Sequence, residues 1–585
     1  RMVEHAVAGD VPCAQITCLD FSNAYNTLSR DVIAATVRDQ YPQLYRLARW
    51  AYRGPAALFV DGRTPDGQYR AVELESRDGV RQGDPLAPLL FSVGMRPFLE
   101  CLQDALGPGH LVLAYLDDVM VLSEREVDVV AAADRAAHES ATGLRLNVAK
   151  SRVYSLDRVR EAGLDILGTR IGSVETRSEF ADHVIASLNL QVGRLLRSQL
   201  PLQDKWLLLS QSVQQKFRHL MRQLDSEGIE ELWPQLDDIL VNAVAQLGQI
   251  PLDDMDALAR TLASLPERHG GLGILSHSDC FRAARRAMQE SADFQLRQLG
   301  LYAAGGPTAD DRAGDAAPAR QGDLCEQIFR QRFEETADKL PHDAAVALLE
   351  HREPLSRRFL RSTPFNCSVV LDNRTMAGAI RIRLLRVSGV YRETREGLPT
   401  TVCVGCGATG CTAVHGDACP AIPHRRRHGM HTQIQNLITG HLKSVPGSRV
   451  TREVWVPTDR RIDDHRLDIR VSGPVAMHGT TAGYDISVVS GRARQSSERQ
   501  EDGESRVTWA KRTIAYRLHA REQAKFAKYA MVPGFAPLVL SISGTMGPAF
   551  AAQWDHWVSV YPKMHILARQ LSVLLIRERV ARYGF

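Results

Sequence analysis

The stretch "LVLAYLDDVMVLS" (Leu111 to Ser123) decides how the first part of the chain is read. Its flanks are rich in Val, Leu and Tyr and have the composition of two β-strands. Between them stand two adjacent aspartates, Asp117 and Asp118. Neighbouring carboxylates repel, and burying one without a partner is costly. Taken alone, the window fits a solvent-facing turn, where Asp is common. It equally fits a metal site at a hairpin tip, where a divalent cation would make the pair favourable.

Working outward, residues 11–170 alternate strand-like and helix-like segments, so the region is α/β. The strands are "AQITCLDF", "ALFVDG", "LVLAYL" and "VMVLS". One helix is expected after Asp20 and another after Pro85, which suits a first helical turn. A third, "VDVVAAADRAAHESATG", is expected to end at Gly143. Asp20 closes a strand just as Asp117 does. If the two strands are neighbours, Asp20, Asp117 and Asp118 converge, and three carboxylates can hold two magnesium ions. Such a pair activates an attacking hydroxyl and stabilises a pyrophosphate leaving group. Between them, in "GVRQGDPLAPLLF", Gly83 allows close backbone approach to a ligand.

"DFSNAY", "RQGDPLAPLLF" and "YLDD", in this order, resemble motifs A, B and C of reverse transcriptases. "GLRLNVAKS" (143–151) resembles motif D and "LDILGTRI" (164–171) motif E. The resemblance implies that Asp20, Asp117 and Asp118 ligate two Mg2+ and that Phe21 lends a backbone carbonyl. It implies that Tyr25 excludes a ribose 2′ hydroxyl and that Gln82 and Gly83 touch nucleotide and template. Lys150 would be the general acid for pyrophosphate departure, or else a solvated lysine. Only 19 residues precede Asp20. The family's fingers region, which grips the triphosphate, is therefore expected to be absent from this chain, which would weaken its polymerase activity. The start at Arg1, without Met, leads us to expect residues upstream.

The composition (585 residues, 44% hydrophobic, 24% charged, net charge +4) is that of a multidomain globular protein. No run approaches the roughly 18 apolar residues of a membrane span. Four of the ten cysteines fall in "CVGCGATGCTAVHGDAC". Cys403, Cys406, His415 and Cys419 have the chemistry of a tetrahedral structural zinc site, with Cys411 a spare ligand. The basic run with Arg426, Arg427 and His428 follows, suited to phosphate contact. This combination resembles the CCHC zinc knuckle of site-specific non-LTR retrotransposons of ribosomal-RNA or spliced-leader genes.

In those elements a restriction-like endonuclease follows the knuckle. "HRLDIRV" and "GYDISVVS" are strands bearing Asp468 and Asp485; a helix with Lys525 and Lys528 follows, then the strand "FAPLVLSISG". That order resembles a PD-(D/E)xK core, with the two acids holding at least one Mg2+. Ser487 stands where the family's lysine usually is and Leu467 where its proline is, so Lys525 and Lys528 are the candidates jointly. Pairing of the acids with Arg466 and Arg470 is the structural alternative.

The expected layout is a reverse-transcriptase palm at 1–175, a helical thumb at 176–302, a flexible linker at 303–322, a helical linker domain at 323–398, the zinc knuckle and basic helix at 399–445, and the endonuclease at 446–585. The resemblance implies target-primed reverse transcription. Its partners would be the element's RNA, chromosomal target DNA and deoxynucleoside triphosphates, with no membrane, in the nucleus. A group II intron-like enzyme and a non-catalytic nucleic-acid-binding remnant are the rival readings.

Overall fold

The computed structural model describes residues 1–63, 68–301, 318–386, 391–392, 402–403, 406–407, 415–417, 419, 424–456, 466–477, 481–489 and 500–583. The chain is a mixed α/β multidomain protein of two compact units. One comprises Arg1–Ala181, Gln223–Ile229 and Gln289–Pro318, the other Asp182–Arg222, Glu230–Met288 and Ala319–Phe585. This spatial division is coarser than the expected segments and cuts the helical region. Most of the expected 303–322 linker lies outside the described residues.

In the first unit, β1 (Gln15–Leu19) is flanked by antiparallel partners. With β4 (His110–Tyr115), β5 (Asp118–Ser123) and β6 (Arg152–Ser155) it forms a sheet of order β4-β5-β1-β6. The near-continuous apolar run of β5 has a simple cause. Val119 and Val121 join a core with Leu90, Phe91 and Phe98 of the Ala87–Leu106 helix, while Met120 and Leu122 join a second core with Met2, Val3 and Ile16. A strand buried on both faces loses the polar alternation of a half-buried one.

Several local expectations shift. "ALFVDG" is a strand, as expected, but stands outside this sheet: β2 (Ala56–Arg63) pairs with β3 (Tyr69–Ser76) as a separate hairpin. The helix after motif B starts at Ala87, so Pro88 rather than Pro85 occupies its first turn. The helix expected to end at Gly143 covers Val129–Glu139. Gly143 is needed for another reason, since its φ is +81° and a Cβ there would stand 2.5 Å from the Thr27 carbonyl oxygen. "LDILGTRI" forms the hairpin β7 (Leu164–Ile166) and β8 (Thr169–Ile171). Leu167 and Gly168 both have positive φ, as a two-residue hairpin turn that follows strand twist requires.

The second unit is helical through residue 386, with buried Trp206 and Trp233 in its cores. The two-residue strands β9 (Tyr391–Arg392) and β10 (Val402–Cys403) pair antiparallel. A second sheet follows, of order β11 (Arg449–Trp455), β12 (Arg466–Ser472), β13 (Thr481–Val489) and β14 (Phe535–Ser541). The last two strands are parallel and the other pairs antiparallel. Ile469, Val471 and Tyr484 share a core with Ile434 and Ile438 of the His424–Lys443 helix, and with Trp557 and Leu571 of the two last helices. The Arg506–Lys528 helix packs on β13 and β14. Among the described residues no helix is long and apolar enough to cross a membrane.

Candidate active sites and metal centre

The register of β1 on β5 ends with Leu19 opposite Val119. Continued by one residue, it sets Asp20 opposite Asp118, where side chains of facing residues share one face of the sheet. The β4–β5 hairpin closes at Tyr115 opposite Asp118, leaving Leu116 and Asp117 as its tip. Leu116 has φ +56°, a conformation that costs a non-glycine residue of order 1–3 kcal/mol and persists where surrounding structure imposes it. The carboxyl of Asp118 is pushed above the usual carboxylate range, first by burial and then by the charges of Asp117 and Asp20. Asp118 thus feels both of the other acids, and a divalent cation is a group that such a set could hold.

The surrounding residues sit as follows. Asp20 is held by its backbone: its N–H donates to Ser151 Oγ at 3.1 Å, and its carbonyl accepts from the Asn147 N–H at 2.7 Å. Phe21 is buried edge-on to Phe98 and bridges Leu146. The Tyr25 ring stacks on Phe91 with centroids 4.3 Å apart. Burial, then Asp117 and Tyr115, raise the Tyr25 hydroxyl's pKa, which places the ring beside the acids. Gln82 and Gly83 are exposed in the turn before the Ala87–Leu106 helix. Gly83 has φ +88° with open space where a Cβ would be, so the turn conformation rather than crowding calls for glycine. Asp84, unremarked in the sequence reading, fixes this turn by accepting from the Leu86 N–H at 2.9 Å and the Tyr52 hydroxyl at 2.7 Å. Lys150 is exposed on the turn begun by Asn147.

In the second unit the same construction recurs. Ile469 faces Tyr484 across β12 and β13, so the next pair is Asp468 opposite Asp485. Asp485 is 5% exposed. Its Oδ1 forms an ion pair with Lys525, and its Oδ2 lies 2.7 Å from the Tyr529 hydroxyl, which also reaches the Arg466 carbonyl. Asp468 Oδ2 accepts from the Ile486 N–H at 2.6 Å and is 2.9 Å from His431 Nε2. The structure therefore separates the two candidate lysines. Lys525 reaches Asp485, whereas Lys528 stands over the Tyr529 ring, 5.1 Å from its centroid. The alternative pairing with arginine is not what forms: Arg466 pairs with Glu453, and Arg470 is exposed.

Three residues here were not singled out from sequence. Arg452 faces Ile469 and Val454 faces Leu467, so Glu453, at φ +57°, lies opposite Asp468 on the third strand of the row. Gln435 Nε2 donates to the Asp468 carbonyl and to Glu453 Oε1, each at 2.7 Å. The His431 imidazole is held above its ordinary pKa, first by its hydrogen bond to Asp468 and further by the charges of Asp468, Asp485 and Glu453, against the opposing effect of burial. Neither histidine nor glutamine carried a signal beyond its spacing of four on one helix face.

Cys406, His415 and Cys419 bring their ligand atoms within 4.8 Å of one another. They are the one such group of three or more among the described residues; the two aspartate sets are more widely spread. Cys406 Sγ is 3.3 Å from His415 Nε2. Two sulfurs and an imidazole nitrogen at this spacing fit zinc. The Cys403 side chain, Cys411 and the side chains of Arg426 and Arg427 lie outside the described residues, while His428 is exposed. The ligand loop is anchored by Asp417, whose carboxylate takes two hydrogen bonds from the buried Arg579 of the last helix, at 2.9 and 3.3 Å.

Comparison with known proteins covers the segment that carries the first of these sites. Residues 7–171 match the family described as "Reverse transcriptase (RNA-dependent DNA polymerase)". The retrotransposable element SLACS 132 kDa protein of Trypanosoma brucei gambiense is 28% identical over 352 residues, 57% of this chain and 28% of that protein. The retrovirus-related Pol polyprotein from type-1 retrotransposable element R2 of Popillia japonica is 30% identical over 149 residues, 23% of each. The chain thus spans about a quarter of the length of these relatives. Apo telomerase from Candida tropicalis aligns at 12% identity and TM-score 0.27 over 56% of this chain and 54% of its own. Candida albicans telomerase with a telomeric RNA fragment aligns at 11% and 0.21 over 44% and 51%. Likenesses that low carry no argument. The motif geometry and the family match together identify residues 7–171 as a reverse transcriptase domain of the non-LTR retrotransposon type.

Proposed function

We propose that the protein is both an RNA-directed DNA polymerase and a DNA endonuclease, acting in the nucleus by target-primed reverse transcription. A nick in chromosomal DNA frees a 3′ hydroxyl, which primes copying of the element's RNA from deoxynucleoside triphosphates. The observation that carries this reading is the repetition of one device. In each unit, antiparallel register sets two aspartates face to face at the edge of a core, Asp20 with Asp118 and Asp468 with Asp485.

In the first set, Asp20, Asp117 and Asp118 would hold two Mg2+, which activate the primer hydroxyl and neutralise the leaving pyrophosphate. Phe21 and Tyr25 would shape the nucleotide pocket, Gln82 and Gly83 would meet nucleotide and template, and Lys150 would supply a proton. In the second, Asp468 and Asp485 would hold at least one Mg2+ for phosphodiester hydrolysis, with Lys525 orienting the water. Cys403, Cys406, His415 and Cys419 would bind one structural zinc. The basic start of the next helix, with Arg426, Arg427 and His428, would contact the target's phosphates. The segment boundaries at 175, 302, 322, 398 and 445 belong to the same reading.

The test is a matched pair of assays on one DNA target, intact and pre-nicked. Asp118→Ala should stop nucleotide addition and leave nicking. Asp485→Ala should lower nicking by orders of magnitude and leave extension from the pre-nicked primer. Extension by the same preparation shows that the variant is folded. Normal nicking by Asp485→Ala would remove the endonuclease from the reading.

A further inference from the structure

The helical part of the second unit holds a cavity of about 640 Å3 lined by six arginines: Arg218, Arg268, Arg357, Arg358, Arg361 and Arg569. One acid, Glu267, is among its walls. The charges are largely uncompensated. Arg361 pairs with Glu267 at 2.8 Å and Arg268 with Glu326. Arg218, Arg357, Arg358 and Arg569 have no carboxylate within 4.0 Å among the described residues, and the buried Nε of Arg357 has no hydrogen-bond partner. Arg358 is pushed below the usual guanidinium pKa, first by burial and then by Arg569 and Arg357. Arg357 and Arg569 are half-buried and the other four are exposed; like charges gathered around one cavity repel, and an anion that joins them relieves the repulsion.

The site is longer than a single phosphate needs. A second cavity of about 570 Å3 shares Arg268, Pro354 and Arg357 with the first and adds Arg352 and Lys511, with one acid, Glu353, in its wall. Adjoining through those residues, the two form a basic track that includes Arg569 in the first cavity and Lys511, on the same helix as Lys525, in the second. A track of guanidinium forks with few acids is suited to the successive phosphates of a polynucleotide.

We propose that this track binds the phosphodiester backbone of a single-stranded nucleic acid, at a place distinct from both aspartate pairs and from the basic run at 425–428. It deepens the proposed function, on which it rests for the presence of RNA and DNA substrates. Arg357, Arg358 and Arg569 are its central contacts.

The experiment measures binding of labelled single-stranded RNA and DNA oligonucleotides of equal length to the full chain, without divalent metal or nucleotide, across a salt series. The triple variant Arg357→Gln, Arg358→Gln, Arg569→Gln should flatten the plot of log affinity against log salt by about 2, since each single-strand phosphate contact contributes roughly 0.7. Affinity at low salt should fall on the order of tenfold or more. The corresponding Arg→Lys triple should keep most of the slope. A larger change with RNA than with DNA identifies the strand as template, and the reverse as target. An unchanged slope for both overturns the inference. If the glutamine triple does not fold, crosslinking of wild-type protein to 4-thiouridine RNA and 4-thiothymidine DNA decides. Adducts in 353–361 or around 569 support the track, and their absence with both strands refutes it. Because no metal is present, inactivity of either aspartate pair leaves this result untouched.

Discussion

The two aspartate pairs are built alike and kept differently. Asp20 and Asp118 face each other with Asp117 beside them, and among the described residues neither Asp117 nor Asp118 has an ion-pair partner within 4.0 Å; Asp118 is pushed up partly by its like-charged neighbours. Asp468 and Asp485 face each other with His431 on one and Lys525 and Tyr529 on the other. The first set is left with its negative charge unbalanced, as the proposed binding of cations from solution requires. The second carries its own positive charge. Its Lys525 serves as a stand-in counter-charge and as a candidate chemical group at once. Geometry at the backbone level is therefore a poor guide to how an acid pair behaves; the neighbours decide.

The sharpest way to break this contrast is to remove the resident cation. Lys525→Ala should lower nicking about a hundredfold or more, the range for a lost proton-handling group, while Lys528→Ala changes it little. Equal losses would mean that the ion pair seen with Asp485 is not the working arrangement. A DNA nicking assay with pre-nicked extension as control reads both.

Removing the metal centre should give the next effect, on stability. Cys406→Ser should cost the protein its zinc, about one per chain in the wild type by metal analysis. The unit holding Asp468 and Asp485 should then melt earlier by several degrees, because the ligand loop is tied through Asp417 to the core helix bearing Arg579. Unchanged zinc content would sink the assignment.

The smallest expected effect sits in the other pair. The folded state raises the pKa of Asp118, so the native protein holds that proton more readily than the unfolded chain does. Stability from this group is then lost, not gained, as pH rises through the unfolded and folded values. Asp118→Asn, which removes the charge, should raise the metal-free melting temperature at neutral pH on the order of 1 °C, and the gain should vanish near pH 3. A lowered melting temperature at neutral pH would show that the acid is paired after all.

Much of this was legible in the sequence because the first pair borders apolar β-runs and the second interrupts them, where a charge stands out. The facing aspartates and the chain order of β12, β13, the lysine-bearing helix and β14 needed only pattern, whereas β11 was not expected. What sequence left open was partnership across elements. Lys525 and Lys528 look equivalent in "KFAKY", yet Lys525 and Tyr529 are four apart and share a helix face, and both reach Asp485. Glu453 and His431 come from a strand and a helix with no motif of their own, so nothing but register and packing could bring them to Asp468. Composition marks β2 as a strand, as it does the strands of the first sheet; that it takes β3 rather than that sheet as its partner is settled by pairing, which composition does not carry.

One consequence follows from the placement of Asp20 and Asp118 a single step beyond the last ladder pair. A strand has parity: adding or deleting one residue turns every side chain to the opposite face. In β5 that would exchange Val119 and Val121 with Met120 and Leu122 between two differently shaped cores, and would swing Asp118 away from Asp20 in the same movement. Packing thus acts as a check digit for the acid pair. An insertion or deletion in this strand cannot silently misplace the carboxylates, since the frame that carries them would already have failed to close.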